Sequence, residues 1–230
     1  MFELNEEFDI TVVSNIGDEK RNAIIVDNFY KNPDEVREYA LTSPRTSKKD
    51  NPELQSGLPG WRVFVDNKEV VENLRPVFEK IKRLKFWRNP LKDDAWEHHW
   101  TTTGFLCNIM NAETRAIGGG IPHQDAAVDT NYGVVIYLNK PEECSGGTRL
   151  YSYCGQQSQT CANSQMSDLY NELSMQQWLR DHGTDKWNVE LEFEMVYNRM
   201  IMYEADLLHA QWYSEDAFTN CDRIAQVLFL

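Results

Sequence analysis

The sequence feature that most restricts the possible folds of this chain is a series of short, strand-like segments separated by turn residues. These segments are rich in Val, Ile, Tyr, Phe and Trp, the residue types that strands favour. In the second half of the chain we predict strands over residues 100–110, 132–138, 147–151, 192–197, 199–203, 207–213 and 223–230. Many short strands joined by turns are typical of a β-sandwich or a jelly-roll. We therefore expect a mainly β fold of the α+β class.

The first hundred residues combine strand and helix signals. Residues 9–13 and 22–26 predict two strands joined by a polar turn. A helix is expected to begin at Asn32-Pro33, because Asn is a favoured N-cap and Pro fits the first helical turn. Apolar residues recur at helical spacing over 67–86, where Pro76 should kink the helix or divide it in two.

Two segments predict features outside the β core. Residues 43–60, rich in Pro, Ser, Lys and Asn, predict an exposed loop. A helix is expected inside an insertion at 156–186, between two strands. Without an internal repeat or a clear linker, we expect one domain over 1–230: a buttressing segment at 1–99 with helices, and a β core at 100–230.

The composition favours an ordinary globular domain. Of the 230 residues, 41% are hydrophobic and 12% aromatic, and the formal net charge is -13. Nucleic-acid binding depends on clustered Lys and Arg, so this role is not expected. No segment approaches the roughly 20 apolar residues of a membrane helix, and the first residues lack a secretory pattern. Five irregularly spaced cysteines fit a reducing compartment. We expect a cytoplasmic protein that does not bind membranes.

Three residues suggest a metal site. His123 and Asp125 are separated by one residue, and alternate residues of an extended chain point to the same side. Together with His209 they supply two imidazoles and one carboxylate, the ligand set that holds ferrous iron on one face and leaves the opposite positions open. Farther on, Arg223 lies in an apolar final strand, where a buried cation is costly unless an anion pairs with it.

The order of five pieces resembles the iron(II)- and 2-oxoglutarate-dependent dioxygenases, and within them the prolyl-hydroxylase-like branch. The pieces are His123-Gln124-Asp125, residues 134–139, residues 146–151, His209 and Arg223-Ile224-Ala225. The resemblance covers roughly residues 100–230. It implies a double-stranded β-helix, a distorted jelly-roll, with iron near one open end.

The same resemblance implies roles for individual residues. His123, Asp125 and His209 would be the catalytic residues, as the facial triad of Fe(II) ligands. Arg223 would pair with the distal carboxylate of 2-oxoglutarate, assisted by the Tyr137 hydroxyl. The implied activity hydroxylates a prolyl, peptidyl or amino-acid-like substrate with dioxygen, while 2-oxoglutarate is converted to succinate. Ascorbate is a further candidate cofactor.

Alternatives remain open at this point. Arg199 is a second candidate for the anion anchor, because the segment between His209 and Arg223 is a few residues long for this branch. The chain could also be a non-catalytic jelly-roll that binds metal or peptide as a recognition module. A zinc hydrolase could use the same three ligands, although no His-Glu-x-x-His pattern is present. His98 and His99 are expected to be packed or surface residues.

Overall fold

Ten strands and two α-helices form the described part of the chain. The computed structural model describes residues 1–46, 50, 60–65, 67–84, 105–110, 122–125, 132–153, 187–214 and 216–229. The elements are β1 (Asp9–Ile16), β2 (Arg21–Asp27), α1 (Pro33–Thr42), β3 (Trp61–Val65), α2 (Asn67–Lys82), β4 (Phe105–Met110), β5 (Tyr132–Tyr137), β6 (Gly147–Tyr153), β7 (Trp187–Glu194), β8 (Met200–Glu204), β9 (His209–Trp212) and β10 (Arg223–Phe229), with a short 3-10 helix at Pro141–Glu143.

The strands form a large and a small antiparallel sheet. The large sheet has the order β1-β2-β8-β5-β10-β4-β3, and the small sheet has the order β7-β6-β9. The expectation of a mainly β fold is therefore confirmed. The first part of the chain contributes three strands as well as two helices, and β3 was not predicted from the sequence.

The large sheet is apolar on both faces, and each face packs against a different layer. In β8, Met200 and Met202 join a helix-side core with residues of α1 and α2. Ile201 and Tyr203 point the other way, as alternate residues of a strand must. They belong to the inter-sheet cluster, which we define as Ile16, Ala23, Val135, Tyr137, Leu150, Phe193, Met195, Ile201, Tyr203, Leu207, Ala217, Phe218 and Ala225. Since Leu150 and Phe193 come from the small sheet, the two sheets pack face to face.

Both helices lie where the sequence predicts them, with differences in detail. Pro33 occupies the first turn of α1, but the Asn32 side chain makes no capping hydrogen bond. Helix α2 runs through Pro76 as one element and ends at Lys82, so of the two predicted effects of Pro76 the division is wrong, and the kink stays a prediction. The buried apolar face of α2 against the sheet stabilises the helix enough to offset the hydrogen bond that proline cannot donate.

The largest error in the predicted strands lies before β8. Strand β7 covers Trp187–Glu194 rather than 192–197, and the chain then turns. Asn198 takes a left-handed φ of 60°, which Asn tolerates better than most residues. Its side chain also bonds the backbone N and O of Tyr30, at 2.8 Å each. This long-range pairing fixes the turn, and no local pattern predicts it.

Some predictions fall outside the described residues. They include the insertion at 156–186 with its helix, and most of the predicted loop at 43–60. Among the described helices, none combines the length and apolar character needed to cross a membrane.

Candidate metal centre

A pair of backbone hydrogen bonds brings the two halves of the predicted site together. His123 and His209 form an isolated antiparallel bridge, in which each backbone N donates to the other residue's O at 2.9 Å. The Asp125 N then donates to the Ala205 O at 2.9 Å. Residues 123–125 are thus held along the start of β9 and the turn before it, and the side chains of His123, Asp125 and His209 converge.

The ligand atoms of His123, Asp125 and His209 all lie within 4.8 Å of one another. Nε2 of His209 is 3.1 Å from Oδ2 of Asp125, and Nε2 of His123 is 3.6 Å from Oδ1. Cis ligands bonded at about 2.1 Å to one ion lie about 3 Å apart, so both distances suit a shared metal. His123 is the most exposed member, with 37% of its side chain accessible.

The tautomer of His209 suits metal binding. Its Nδ1 is 2.9 Å from the carbonyl O of Leu207. A carbonyl can only accept, so Nδ1 carries a proton, and Nε2, next to Asp125, is the nitrogen left to coordinate a metal. Metal-binding histidines usually have such a partner on the second ring nitrogen, which fixes the ring orientation.

Charge reinforces the grouping of the three side chains. Burial of Asp125 opposes its ionisation, but the neighbouring His209 and His123 hold the pKa of its carboxyl below the ordinary value. Burial of His209 opposes its protonation, but the Asp125 carboxylate, helped by the Leu207 carbonyl, raises its pKa. The cluster therefore attracts positive charge, which a cation bound to the two rings and the carboxylate would supply.

Arg223 is a buried cation at the start of β10. Its residue is 3% exposed, and it lies on the same strand face as Ala225 of the inter-sheet cluster. Among the described residues no carboxylate pairs with Arg223, and its Nε is buried without a hydrogen-bond partner. Burial lowers the pKa of Arg223, while the nearby hydroxyls of Tyr137, Tyr213 and Tyr203 act in the opposite direction. The cation thus faces phenols rather than an acid.

The backbone around Arg223 is fixed by Asn139. Its Oδ1 accepts a hydrogen bond from the Ile224 N at 2.7 Å, and its Nδ2 donates to the Asp222 O at 2.8 Å. The fully buried amide thus bonds the chain on both sides of the arginine. Sequence analysis gave Asn139 no role. An Asn after a strand indicates that its side chain hydrogen-bonds to the backbone, but the sequence does not show which backbone groups are its partners.

Polar side chains from both sheets line the same interior. The Tyr137 hydroxyl on β5 is 2.7 Å from the Thr148 Oγ1 on β6. Burial raises the pKa of Tyr137 to about 12, although the bond to Thr148 and the charge of Arg223 act against the rise. The phenol is therefore a neutral hydrogen-bond donor near the arginine at physiological pH.

Tyr203 connects the metal cluster with the arginine, and sequence analysis did not single it out. Its ring centroid is 4.7 Å from that of His209. Burial and the negative charge of Asp125 raise its pKa well above the ordinary value, and Arg223 has the opposite effect. The ring lies over Gly133, where a Cβ would be 2.9 Å from its Cε2. A glycine at this position leaves room for the tyrosine.

The other candidates from the sequence are engaged elsewhere or lie outside the described residues. Arg199 pairs with both carboxylate oxygens of Asp27, at 2.6 and 3.0 Å, so it is a weaker candidate for the anion anchor. Cys144 and Cys221 are free thiols. The histidines at 98, 99 and 182 fall in parts of the chain that are not described.

Comparison with known proteins identifies a family. A family model described as "Family of unknown function (DUF6445)" matches residues 7–222. The chain belongs to this family. No curated protein matches the chain.

One solved structure similar to this DUF6445 chain is titled "Crystal Structure of EvdMO1". It is 14% identical, with a TM-score of 0.27, and the match covers 97% of this chain and 55% of that one. The chain thus spans about half the length of that structure.

Proposed function

We propose that this protein is an iron(II)- and 2-oxoglutarate-dependent oxygenase. The observation that carries the proposal is the pairing of two features in one interior: a His-Asp-His cluster able to hold a metal, and a buried guanidinium without a carboxylate partner in the described chain. A buried cation is costly unless an anion compensates it. A dicarboxylate that bridges the metal and Arg223 supplies that anion.

Charge balance supports a dicarboxylate in particular. A divalent metal and the Arg223 guanidinium bring three positive charges to the site, and Asp125 brings one negative charge. A doubly charged 2-oxoglutarate neutralises the remainder. Arg223 can bind the distal carboxylate with two parallel hydrogen bonds, since its fork matches carboxylate geometry. The neutral Tyr137 hydroxyl is suited to donate a further bond.

We also propose that the two packed antiparallel sheets are the two sides of a double-stranded β-helix. The order of the pieces along the chain supports this, because the His123 segment, β5, β6, β9 and β10 carry them in sequence. The helices α1 and α2, which pack on the outer face of the large sheet, correspond to the helical buttress of such enzymes.

Bound iron and 2-oxoglutarate would together activate dioxygen for hydroxylation of a C–H bond: one oxygen atom would enter the substrate and the other would enter succinate, with release of carbon dioxide. The chain's own residues have defined tasks. His123, Asp125 and His209 hold the metal on one side and leave the remaining positions for ligands. Arg223 and Tyr137 orient the co-substrate, and the inter-sheet cluster keeps bulk water from the site.

The proposed substrate is a prolyl, peptidyl or amino-acid-like molecule, as the resemblance to the prolyl-hydroxylase-like branch implies. The exposure of His123 supports an open metal position on that side, towards which a substrate can approach. The rival proposal is a non-catalytic member that uses the same cluster to bind metal.

Anaerobic reconstitution tests the proposal. The purified protein is titrated with ferrous iron and then with 2-oxoglutarate, and the visible spectrum is followed for a metal-to-ligand charge-transfer band. Air is then admitted and succinate is measured. A band followed by succinate is the expected result. A band without succinate supports the non-catalytic alternative.

Two variants serve as controls. His209→Ala removes one ligand and should abolish the band, while circular dichroism verifies that the protein is folded. Arg199→Met removes a cation that Asp27 already pairs with, and it should leave the band unchanged. Absence of both the band and succinate with folded wild-type protein contradicts the proposed function.

A further inference from the structure

The turn between β8 and β9 contacts Gln124, Asp125 and His209. Three successive carbonyl oxygens accept hydrogen bonds: Ala205 from the Asp125 N at 2.9 Å, Asp206 from the Gln124 Nε2 at 2.6 Å, and Leu207 from the His209 Nδ1 at 2.9 Å. The position of this turn therefore sets the backbone of one metal ligand and the ring orientation of another.

The same turn is held from the opposite side by Arg21 of β2. Nε of Arg21 is 2.9 Å from Oε2 of Glu204, and Nη2 contacts Oδ1 of Asp206. Arg21 and Glu204 are each 2% exposed, whereas Asp206 is 37% exposed. One guanidinium thus reaches the acids on both sides of Ala205.

We propose that Arg21 is a positioning residue for the metal centre, acting through the Glu204–Asp206 turn. The inference rests on metal binding by His123, Asp125 and His209. Stability alone does not require the ion pair between Arg21 and Glu204, because replacing a buried ion pair with well-packed apolar residues is often neutral or stabilising. A guanidinium between the two acids, in contrast, holds the turn at two points at once, through ion pairs with Glu204 and Asp206.

Orientation matters here because each turn carbonyl must point at its donor for the hydrogen bond to form. A rotation of the turn would move the Leu207 carbonyl away from the His209 ring and release the ring from its orientation. It would also shift the Asp125 backbone through the Ala205 carbonyl. Partners that orient metal ligands typically change metal affinity about 10- to 100-fold when they are removed.

The test compares metal affinity with folding stability in the full chain. Co²⁺ binding is titrated by visible absorption and by calorimetry, and thermal unfolding is measured separately in the presence of a chelator. Arg21→Lys keeps the charge but replaces the two nitrogens that reach Glu204 and Asp206 with one, and it should bind Co²⁺ about 10- to 100-fold more weakly than wild type. The Co²⁺ absorption bands should also change in position or intensity, which reports altered coordination.

A double variant separates positioning from structural support. Arg21→Met removes the cation that pairs with the buried Glu204, and it is expected to unfold at a lower temperature. Arg21→Met combined with Glu204→Met removes both charges and should recover the unfolding temperature while Co²⁺ affinity stays low. Asp206→Asn, at a more exposed position, should fold normally and weaken Co²⁺ binding by a smaller factor.

Arg37→Met is the control, because Arg37 pairs with an acid away from the metal centre, its Nη2 lying 2.7 and 3.0 Å from the two carboxylate oxygens of Glu143. It should bind Co²⁺ as wild type does. Recovery of both stability and wild-type Co²⁺ affinity in the double variant would overturn the positioning role. Wild-type affinity in Arg21→Lys would also overturn it, and the metal centre would stand. Failure of the wild-type protein itself to bind Co²⁺ would refute the metal centre, and this inference with it.

Discussion

Replacement of Arg223 by Met should stabilise the protein in the absence of ligand and remove its response to 2-oxoglutarate. The guanidinium is fully buried, and no carboxylate of the described chain pairs with it. Met has a similar length, fills the same space and needs no hydrogen bonds. The variant therefore removes the cost of an unpaired buried charge without leaving a large cavity.

The expected increase in the free energy of unfolding of Arg223→Met follows from the cost of burying a charge. Exchange of buried ionic groups for apolar residues of similar volume is often neutral or stabilising by about 1–4 kcal/mol. At about 2–4 °C per kcal/mol for a chain of this length, the gain corresponds to a rise in unfolding temperature of several degrees. The backbone bonds from Asn139 to the neighbouring residues do not involve the Arg223 side chain and should persist.

The ligand response should change in the opposite direction. With Mn²⁺ bound in place of iron, 2-oxoglutarate at 100 times its dissociation constant should stabilise the wild-type protein by about 2.7 kcal/mol if it binds as proposed. The same concentration of 2-oxoglutarate should hardly stabilise Arg223→Met, because the distal carboxylate of 2-oxoglutarate loses its partner. Urea unfolding with and without 2-oxoglutarate measures both effects in one experiment.

Two results would refute this reasoning about Arg223. A decrease of more than about 1 kcal/mol in the free energy of unfolding of Arg223→Met without ligand would mean that the guanidinium already has a stabilising partner. Removal of one member of a buried pair is destabilising. Equal stabilisation of both proteins by 2-oxoglutarate would mean that the anchor lies elsewhere. Arg199→Met is the control, and it should lose at most about 1 kcal/mol, the usual value of an exposed pair, with a normal ligand response.

Three further changes give separate tests. Asn139→Ala leaves two buried backbone groups unsatisfied and should lower the free energy of unfolding by about 2–4 kcal/mol in urea, and it should weaken 2-oxoglutarate binding as well. Gly133→Ala should cost about 1–3 kcal/mol through its contact with the Tyr203 ring, and combination with Tyr203→Leu should recover part of that loss. The pKa of Glu143 is lowered, because bonds from the Lys140 backbone and Arg37 outweigh its burial. Its stabilising contribution should be complete above the unfolded-state pKa of about 4.3 and fall as the pH drops through the folded value, so that wild type and Glu143→Gln converge in stability in acid.

The sequence predicted the parts of the fold that depend on local pattern. Strand alternation gave most of β8 and β10, and the spacing of His123 and Asp125 placed two candidate ligands on the same side of an extended chain. The start of α1 followed from Asn32-Pro33, because proline suits a first turn whether or not the cap forms its bond. These signals operate within a few residues, so they need no knowledge of the remaining structure.

The errors occur where distant residues decide the outcome. Pro76 does not divide α2, because the surrounding helix is fixed by packing on the sheet. Asn198 ends the segment that was predicted to be a strand, and its partner Tyr30 is 168 positions away. Arg21 is 185 positions from Asp206, and neither residue shows a sequence signal for the contact. Single-chain patterns cannot predict such pairs, since the partners become neighbours only after both sheets have formed.

The two ends of the candidate site depend on different sheets. The metal cluster is built on β9 of the small sheet and on the turn that Arg21 holds, and Leu150 of β6 lies opposite His209. The arginine end is built on β10 of the large sheet, where Ala225 pairs with Tyr137. A ligand that spans both ends must therefore bridge the two sheets, and its binding should depend on their packing. If 2-oxoglutarate binds as proposed, loss of apolar volume between the sheets should weaken its binding more than it weakens metal binding, because only the proposed co-substrate would require both ends at a fixed separation.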